Sequence, residues 1–187
     1  MARAAEDDER AFGEIVRRYQ GRVTNLISRL LNDRICSDDL AQEVVVRVYV
    51  HRRNYRRGSK FSTWLFTIAA NLTKNEIRRR VRRRNWFSLE ALQEVLNDST
   101  AVLADRKEGR ESRLEREQLR EAVGRAIQTV PEKYRLALVL RDIEGLAYED
   151  IAQVLKIPGG TVRSRINRAR LMLKRKLLTL LKSEGTS

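Results

Sequence analysis

Between residues 9 and 32, Phe12, Ile15, Val16, Tyr19, Val23, Leu26, Ile27 and Leu30 recur at helical spacing, so one apolar face runs the length of this segment. "SDDLAQEVVVRVYVHRRNY" follows and predicts a second helix, with Ser37 as its N-cap and two aspartates in the favourable first turn. The pattern breaks around Gly58 and resumes near Phe61, where Phe61, Trp64, Leu65, Ile68 and Leu72 share a face. That third helix runs on into "NEIRRRVRRRN", and the three together predict one compact domain. From Asn85 to Asp105 the character inverts: there is no Lys or Arg, and Glu90, Glu94, Asp98 and Asp105 supply the charge. A domain boundary is expected there. Periodicity returns near Leu114, with Leu119, Val123 and Ile127 on one stripe up to "TVP". A helix starting at Pro131 as its first residue and ending by Gly145 is expected next, then two segments joined by "PGG". Pro131 and Pro158 are the only prolines and aromatics are 6%, so the fold class read here is all-α.

Charge narrows the function. The chain has 187 residues, 39 Lys+Arg against 25 Asp+Glu, and a formal charge of +14. This excess favours a polyanionic partner, nucleic acid before an anionic membrane surface. Hydrophobic content of 42% supports packed cores, which excludes a disordered basic tail. Cys36 is the only cysteine, so it forms no internal disulfide, and it reads as a small buried or half-exposed residue rather than a redox sensor. With His51 the only histidine, a zinc site is not expected, and neither is any other metal or cofactor. No run approaches the roughly 18 apolar residues of a membrane span, and "MARAAEDDER" lacks a signal-peptide core. These features predict a soluble, cytoplasmic protein without membrane insertion. Walker loops, metal clusters and nucleophile–base pairs are all missing, so catalytic residues and a small-molecule substrate are not expected.

The strongest local signal is "LAYEDIAQVLKIPGGTVRSRINRAR". A helix-turn-helix needs a short helix, a tight turn, and a second helix whose polar face enters the major groove. Ile151, Ala152, Val154 and Leu155 supply packing, "KIPGG" the turn, and Thr161 a cap for the second helix. Val162, Ile166, Ala169 and Leu173 then face inward, leaving Arg163, Ser164, Arg165, Asn167, Arg168 and Arg170 outward. Arginine can chelate a guanine edge, asparagine an adenine edge, and serine or arginine a phosphate. Upstream, Asn71, Lys74 and Arg78 share a helix flank, suited to a splayed base and its phosphates.

The stretch "VPEKYRLALVLRDIEGLAYEDIAQVLKIPGGTVRSRINRAR" resembles domain four of the extracytoplasmic-function sigma factors of the sigma-70 family. "DDLAQEVVVRVY" and "KFSTWLFTIAANLTKNEIRRR" resemble regions 2.2 to 2.4 of the same family. The match spans nearly the whole chain in the family's order. It implies a promoter-specificity subunit of bacterial RNA polymerase, with domain two over residues 1–84, an acidic connector over 85–113 and domain four over 114–187. The expected partners are core polymerase (its β′ clamp coiled coil and its β flap), promoter DNA and an anti-sigma factor. The resemblance implies core-polymerase binding by Asp39, Leu40, Gln42, Glu43, Val46 and Arg47. For the −10 element and its melting it implies Asn54, Tyr55, Arg56, Ser59, Lys60, Phe61, Trp64, Asn71, Lys74, Asn75 and Arg78. Trp64 stays open between core packing and base contact. For the −35 element it implies Thr161, Arg163, Ser164, Arg165, Asn167 and Arg168, with Arg141 adding a backbone contact. The six arginines within Arg78–Arg84 are expected to hold duplex phosphates beside the melted bases. Family members usually carry another helix ahead of "DERAFGEIVRRY", so the first helix of domain two is expected to be short or missing.

Two other readings compete. A stand-alone helix-turn-helix regulator would explain residues 146–170 but leave "DDLAQEVVVRVY" and the Asn71 flank without a purpose. A membrane-surface protein would need a broad apolar face beside the arginines, which the pattern lacks.

Overall fold

A computed structural model describes residues 6, 8–55, 58, 60–90 and 122–184, with side chains as far as 83 and 179 in the two long helices. The described residues form seven α-helices and no strand. They are α1 (Glu9–Leu31), α2 (Arg34–Val50), α3 (Phe61–Glu90), α4 (122–128), α5 (Glu132–Leu138), α6 (Tyr148–Leu155) and α7 (Gly159–Glu184). A 3₁₀ turn, Arg52–Asn54, follows α2, and a π turn, Val139–Ile143, follows α5.

The start of α1 is set by Asp8, whose carboxylate accepts from the Ala11 N–H at 2.9 Å. Asn32 in the left-handed conformation ends it, donating its N–H to the Ser28 carbonyl. The cap of α2 is Asp33, not Ser37 as expected. Its carboxylate accepts from the Cys36 N–H at 3.0 Å, so the helix begins four residues early. Ser37 is instead fully buried inside the first turn, its hydroxyl donating back to the Asp33 carbonyl. Asp38 and Asp39 therefore lie beyond the first turn, and Asp39 turns outward. Arg80 of α3 also donates to Asp33, at 2.8 Å, tying the entry of α2 to the arginine run.

Val23, Leu26, Ile27 and Leu30 of α1 meet Ala41, Val44 and Val48 of α2 over Leu65, Phe66, Ala69, Ala70 and Leu72 of α3. The stripe predicted for α3 is narrower than the one observed, because Phe66, its largest buried side chain, lies outside it. The reason is that α3 is covered on two sides: α1 and α2 pack on one, α6 on the other. The apolar cluster accordingly continues without a break into Leu136, Val139, Leu140, Ile151, Val154, Val162 and Ile166.

Pro131 precedes α5 in extended conformation (ψ 140°) and is its cap residue, one position outside the helix expected to begin there. The π turn displaces Arg141 and Asp142 from the helical register, as such bulges do. Gly145, at φ +72°, then reverses the chain into α6; a side chain there would occupy a disfavoured backbone region.

Candidate nucleic-acid interface

The helix-turn-helix is built as its sequence spacing requires. Ile151, Val154 and Leu155 of α6 are buried against Val162 and Ile166 of α7, whereas Ala169 packs with Val130 and Leu138, and Leu173 is half-buried against both groups. Lys156 adopts the left-handed conformation at the end of α6, and Ile157 donates its N–H to the Ala152 carbonyl at 3.1 Å to close the turn. α7 begins at Gly159, directly after Pro158, so Thr161 lies inside its first turn and is not the cap. The Thr161 N–H bonds the Pro158 carbonyl at 2.9 Å.

Arg163, Ser164, Asn167 and Arg168 are exposed on the outer face of α7, and Arg165 is half-buried. Ser164 already donates to the Thr161 carbonyl, and Arg168 reaches the Tyr134 hydroxyl at 3.3 Å. Arg170, outward like the others, is held by both oxygens of Asp142 at 2.9 and 2.5 Å. Arg141 donates to the Leu146 carbonyl at 2.7 Å and lies over the Tyr148 ring, so its guanidinium braces the loop into α6.

Around the start of α3, Tyr19, Tyr55, Phe61 and Trp64 form an aromatic group with centroid separations of 5.1 to 6.1 Å. Phe61 and Trp64 pack against the core yet stay half-exposed, which keeps Trp64 between its two expected roles. Arg56 and Ser59 lie outside the described residues. Asn54, Lys60, Asn71, Asn75 and Arg78 are exposed, whereas Lys74 is half-buried. Burial lowers the Lys74 ammonium from its ordinary value; Glu132 opposes that shift, and Arg165, Arg78 and Lys156 add to it. Arg78 of α3 and Lys156 and Arg165 of the helix-turn-helix are thus gathered around one lysine.

Two residues that the sequence reading passed over meet here. Asp150 of α6 accepts from Lys60 Nζ at 2.8 Å and from Thr63 Oγ1 at 3.1 Å. Burial opposes the charged form of Asp150, but these bonds together outweigh it and hold the carboxyl below its usual range. Nothing along the chain announces a contact between residues 90 positions apart.

The arginine run is partly committed to the fold. Arg79 pairs with Glu76 at 2.7 Å, and Arg80 bridges Glu76 at 2.9 Å and Asp33 at 2.8 Å. Arg78, Arg82 and Arg83 point outward, and Arg78 and Arg82 line an open groove of about 490 Å³ with Asn75 and Glu132.

On α2, Asp39 and Gln42 are exposed, and Glu43 is paired with Arg47 at 2.6 Å. Val46 is 58% and Val50 61% exposed beside them, while Val44 and Val48 are core and Leu40 is half-buried. Val46 and Val50, one helical turn apart, thus leave apolar surface open beside charged groups. Among the described residues no helix is long and apolar enough to cross a membrane, and no group of His, Cys, Asp or Glu could hold a metal.

A helix-turn-helix and a second basic helical lobe together define a DNA-binding protein. Comparison with known proteins is more specific. Residues 15–83 match the Sigma-70 region 2 family and residues 120–173 the Sigma-70 region 4 family. The chain is 39% identical over 182 residues to the RNA polymerase sigma-H factor of Pseudomonas aeruginosa, covering 97% of this chain and 94% of that one. It is 36% identical over 193 residues to the ECF RNA polymerase sigma-E factor of Escherichia coli, with the same coverage. Among solved structures, the sigma factor RpoE of Bartonella quintana, in complex with the anti-sigma factor NepR, is similar with TM-score 0.68 at 22% identity, over 89% of this chain and 96% of that one. CnrH, in complex with the cytosolic domain of CnrY, gives TM-score 0.66 at 23% identity, over 95% and 94%. Those two likenesses establish the shared fold. The chain belongs to the extracytoplasmic-function sigma factors of the sigma-70 family. It is a promoter-directing initiation factor that binds core RNA polymerase and promoter DNA, without catalytic chemistry of its own.

Proposed function

We propose that the labour divides along the chain as follows. Residues 1–84 dock on polymerase and open the −10 element, 85–113 connect, and 114–187 read the −35 element. The outer strip of α2 (Asp39, Leu40, Gln42, Glu43, Val46 and Arg47, extended by the exposed Val50) meets the β′ clamp coiled coil. Domain four adds the β flap contact. The loop through Asn54, Tyr55, Arg56, Ser59 and Lys60, with Phe61, Trp64, Asn71, Lys74, Asn75 and Arg78 of α3, takes a flipped base and its phosphates. Arg163, Ser164, Arg165, Asn167 and Arg168 face the major groove, Thr161 lies at their leading edge, and Arg78, Arg82 and Arg83 grip duplex phosphates. Arg141 contributes by bracing the loop before α6, since its guanidinium is already spent on Leu146 and Tyr148. The factor acts in the cytoplasm, where polymerase and promoter are, and an anti-sigma factor holds it there.

The observation that carries this reading is one chain joining a helix-turn-helix with a polar outer face to an α2 surface that leaves Val46 and Val50 open. A stand-alone operator-binding regulator has no use for that second surface. Co-purification with core RNA polymerase tests it. Val46→Glu should abolish capture while Arg163→Ala leaves it intact; equal capture of both variants, or capture of neither protein nor wild type, contradicts the assignment.

A further inference from the structure

Arg168 stands apart on the reading face of α7. Of the arginines read as −35 contacts there, Arg163, Arg165 and Arg168, only Arg168 donates to another side chain among the described residues. Its Nη1 reaches the Tyr134 hydroxyl at 3.3 Å. Tyr134 belongs to α5, 34 positions earlier in the chain. Its ring packs against the cluster of Val130, Leu138 and Ala169, and Ala169 directly follows Arg168 in α7. The Lys133 ammonium lies over the same ring, 4.9 Å from its centroid. Packing thus fixes the ring, and the ring presents its hydroxyl beside Arg168.

Arg170, two residues on, shows what a different partner does. Both oxygens of Asp142 grip it, at 2.9 and 2.5 Å, so its Nε and Nη2 donors and its charge are already matched. Tyr134 is a neutral acceptor and leaves the Arg168 charge unpaired. Only Nη1 of Arg168 is engaged among the described residues, so its Nε–Nη2 edge keeps its donors. That edge carries the two parallel N–H groups that chelate O6 and N7 of a guanine. The bond also takes rotamer freedom from a long side chain before DNA arrives, which removes part of the ordering cost of binding. The same bond lowers the Tyr134 phenol from its ordinary 10.0, with burial opposing and Lys133 adding.

We propose that Tyr134 is a positioning residue of the −35 reader: its hydroxyl aims Arg168 so that the open Nε–Nη2 edge meets a guanine. Tyr134 thereby sets sequence preference at one base pair without contacting it. The inference rests on the reading of Arg168 as a −35 contact. The two acceptors divide the arginines of α7 between them. Asp142, a carboxylate, withdraws Arg170 from the reading set, whereas Tyr134, a phenol, holds Arg168 within it.

The test uses holoenzyme made with the full-length chain, and a promoter mapped from start sites after overexpression. Affinity is measured by gel shift on a panel in which each upstream-element base pair is substituted in turn. Arg168→Ala should flatten the preference at one G·C pair. Tyr134→Phe keeps the ring and its packing and removes only the acceptor. It should lower discrimination at that same pair by about fivefold, the worth of one hydrogen bond, and leave the other positions as in wild type. In the double variant, Tyr134→Phe should add nothing to Arg168→Ala. Full discrimination in Tyr134→Phe, a loss spread evenly over the panel, or a further loss in the double variant each overturns the proposal while leaving Arg168 as a reader. Arg168→Ala with unchanged preference at every position instead removes Arg168 from the −35 site, and the proposal with it.

Discussion

Asp33→Ala should destabilise the protein by about 1–3 kcal/mol, and Ser37→Ala by less. The aspartate carboxylate caps α2 through the Cys36 N–H at 3.0 Å, a bond whose loss costs about 0.5–2 kcal/mol. It also accepts from Arg80 at 2.8 Å, but both side chains are more than a third exposed, so solvent limits that pair to at most about 1 kcal/mol. Ser37 donates a single bond to a carbonyl, and alanine fills nearly the same buried space, so about 1 kcal/mol is at stake. Urea unfolding followed by circular dichroism measures the ranking. A cycle with Arg80→Ala isolates the pair, with coupling of up to about 1 kcal/mol. Acid provides a second reading. The Cys36 N–H first, and then Arg80, lower the Asp33 carboxyl from its ordinary 3.8. A carboxyl lowered on folding stabilises the fold above its unfolded value, and that contribution fades as pH falls through the lower folded one. Wild type should therefore lose its advantage over Asp33→Asn below about pH 4, the region of the unfolded carboxyl. A costlier Ser37→Ala, or a gap between wild type and Asp33→Asn that does not narrow in acid, would refute Asp33 as the cap that holds α2.

Other expectations follow from the same geometry. Ile166→Ala empties a fully buried site beneath the recognition face and should cost about 2–4 kcal/mol, lowering the midpoint of thermal unfolding. Arg163→Ala should weaken binding of holoenzyme to a −35-containing promoter by about 1–3 kcal/mol, if it meets a base edge, in a gel-shift titration. A shallower salt dependence with no sequence effect would make it a phosphate contact instead. Asn71→Ala should slow open-complex formation or relax one −10 position, read by permanganate footprinting, and unchanged melting with unchanged preference would remove Asn71 from the pocket.

Much of the fold was legible where a helix carries one apolar stripe facing the core. Val162, Ile166 and Ala169 are spaced for a helix whose opposite side is free, and that is where they are buried. Phe66 escaped because α3 is wrapped on two sides, and a one-faced stripe cannot describe such a helix. The start of α2 was misplaced because Asp33 and Ser37 are both competent caps, and a fold-level contact from Arg80 accompanies the one that is used. Five of the six residues of α7 read as outward from spacing are exposed, and Arg165 is half-buried. The pairing of Asp150 with Lys60 could not be read from spacing, since helical periodicity says which face is covered but not by which distant residue. The arginine run shows the same limit: its charge was plain, but Arg79 and Arg80 are bound to Glu76 and Asp33, leaving Arg78, Arg82 and Arg83 outward.

Run-off transcription tests the division of labour most directly. The template is a promoter mapped from start sites after overexpression, used intact, with its upstream element scrambled, and with its downstream element scrambled. Core polymerase with wild-type factor should initiate on the intact promoter and fail on either derivative. With the Arg163→Ala, Arg165→Ala double variant, the residual activity should no longer depend on the upstream element yet still require the downstream one. Unchanged sensitivity to the upstream scramble would contradict the assignment of α7 as its reader, and no gain over core polymerase alone would contradict the account as a whole.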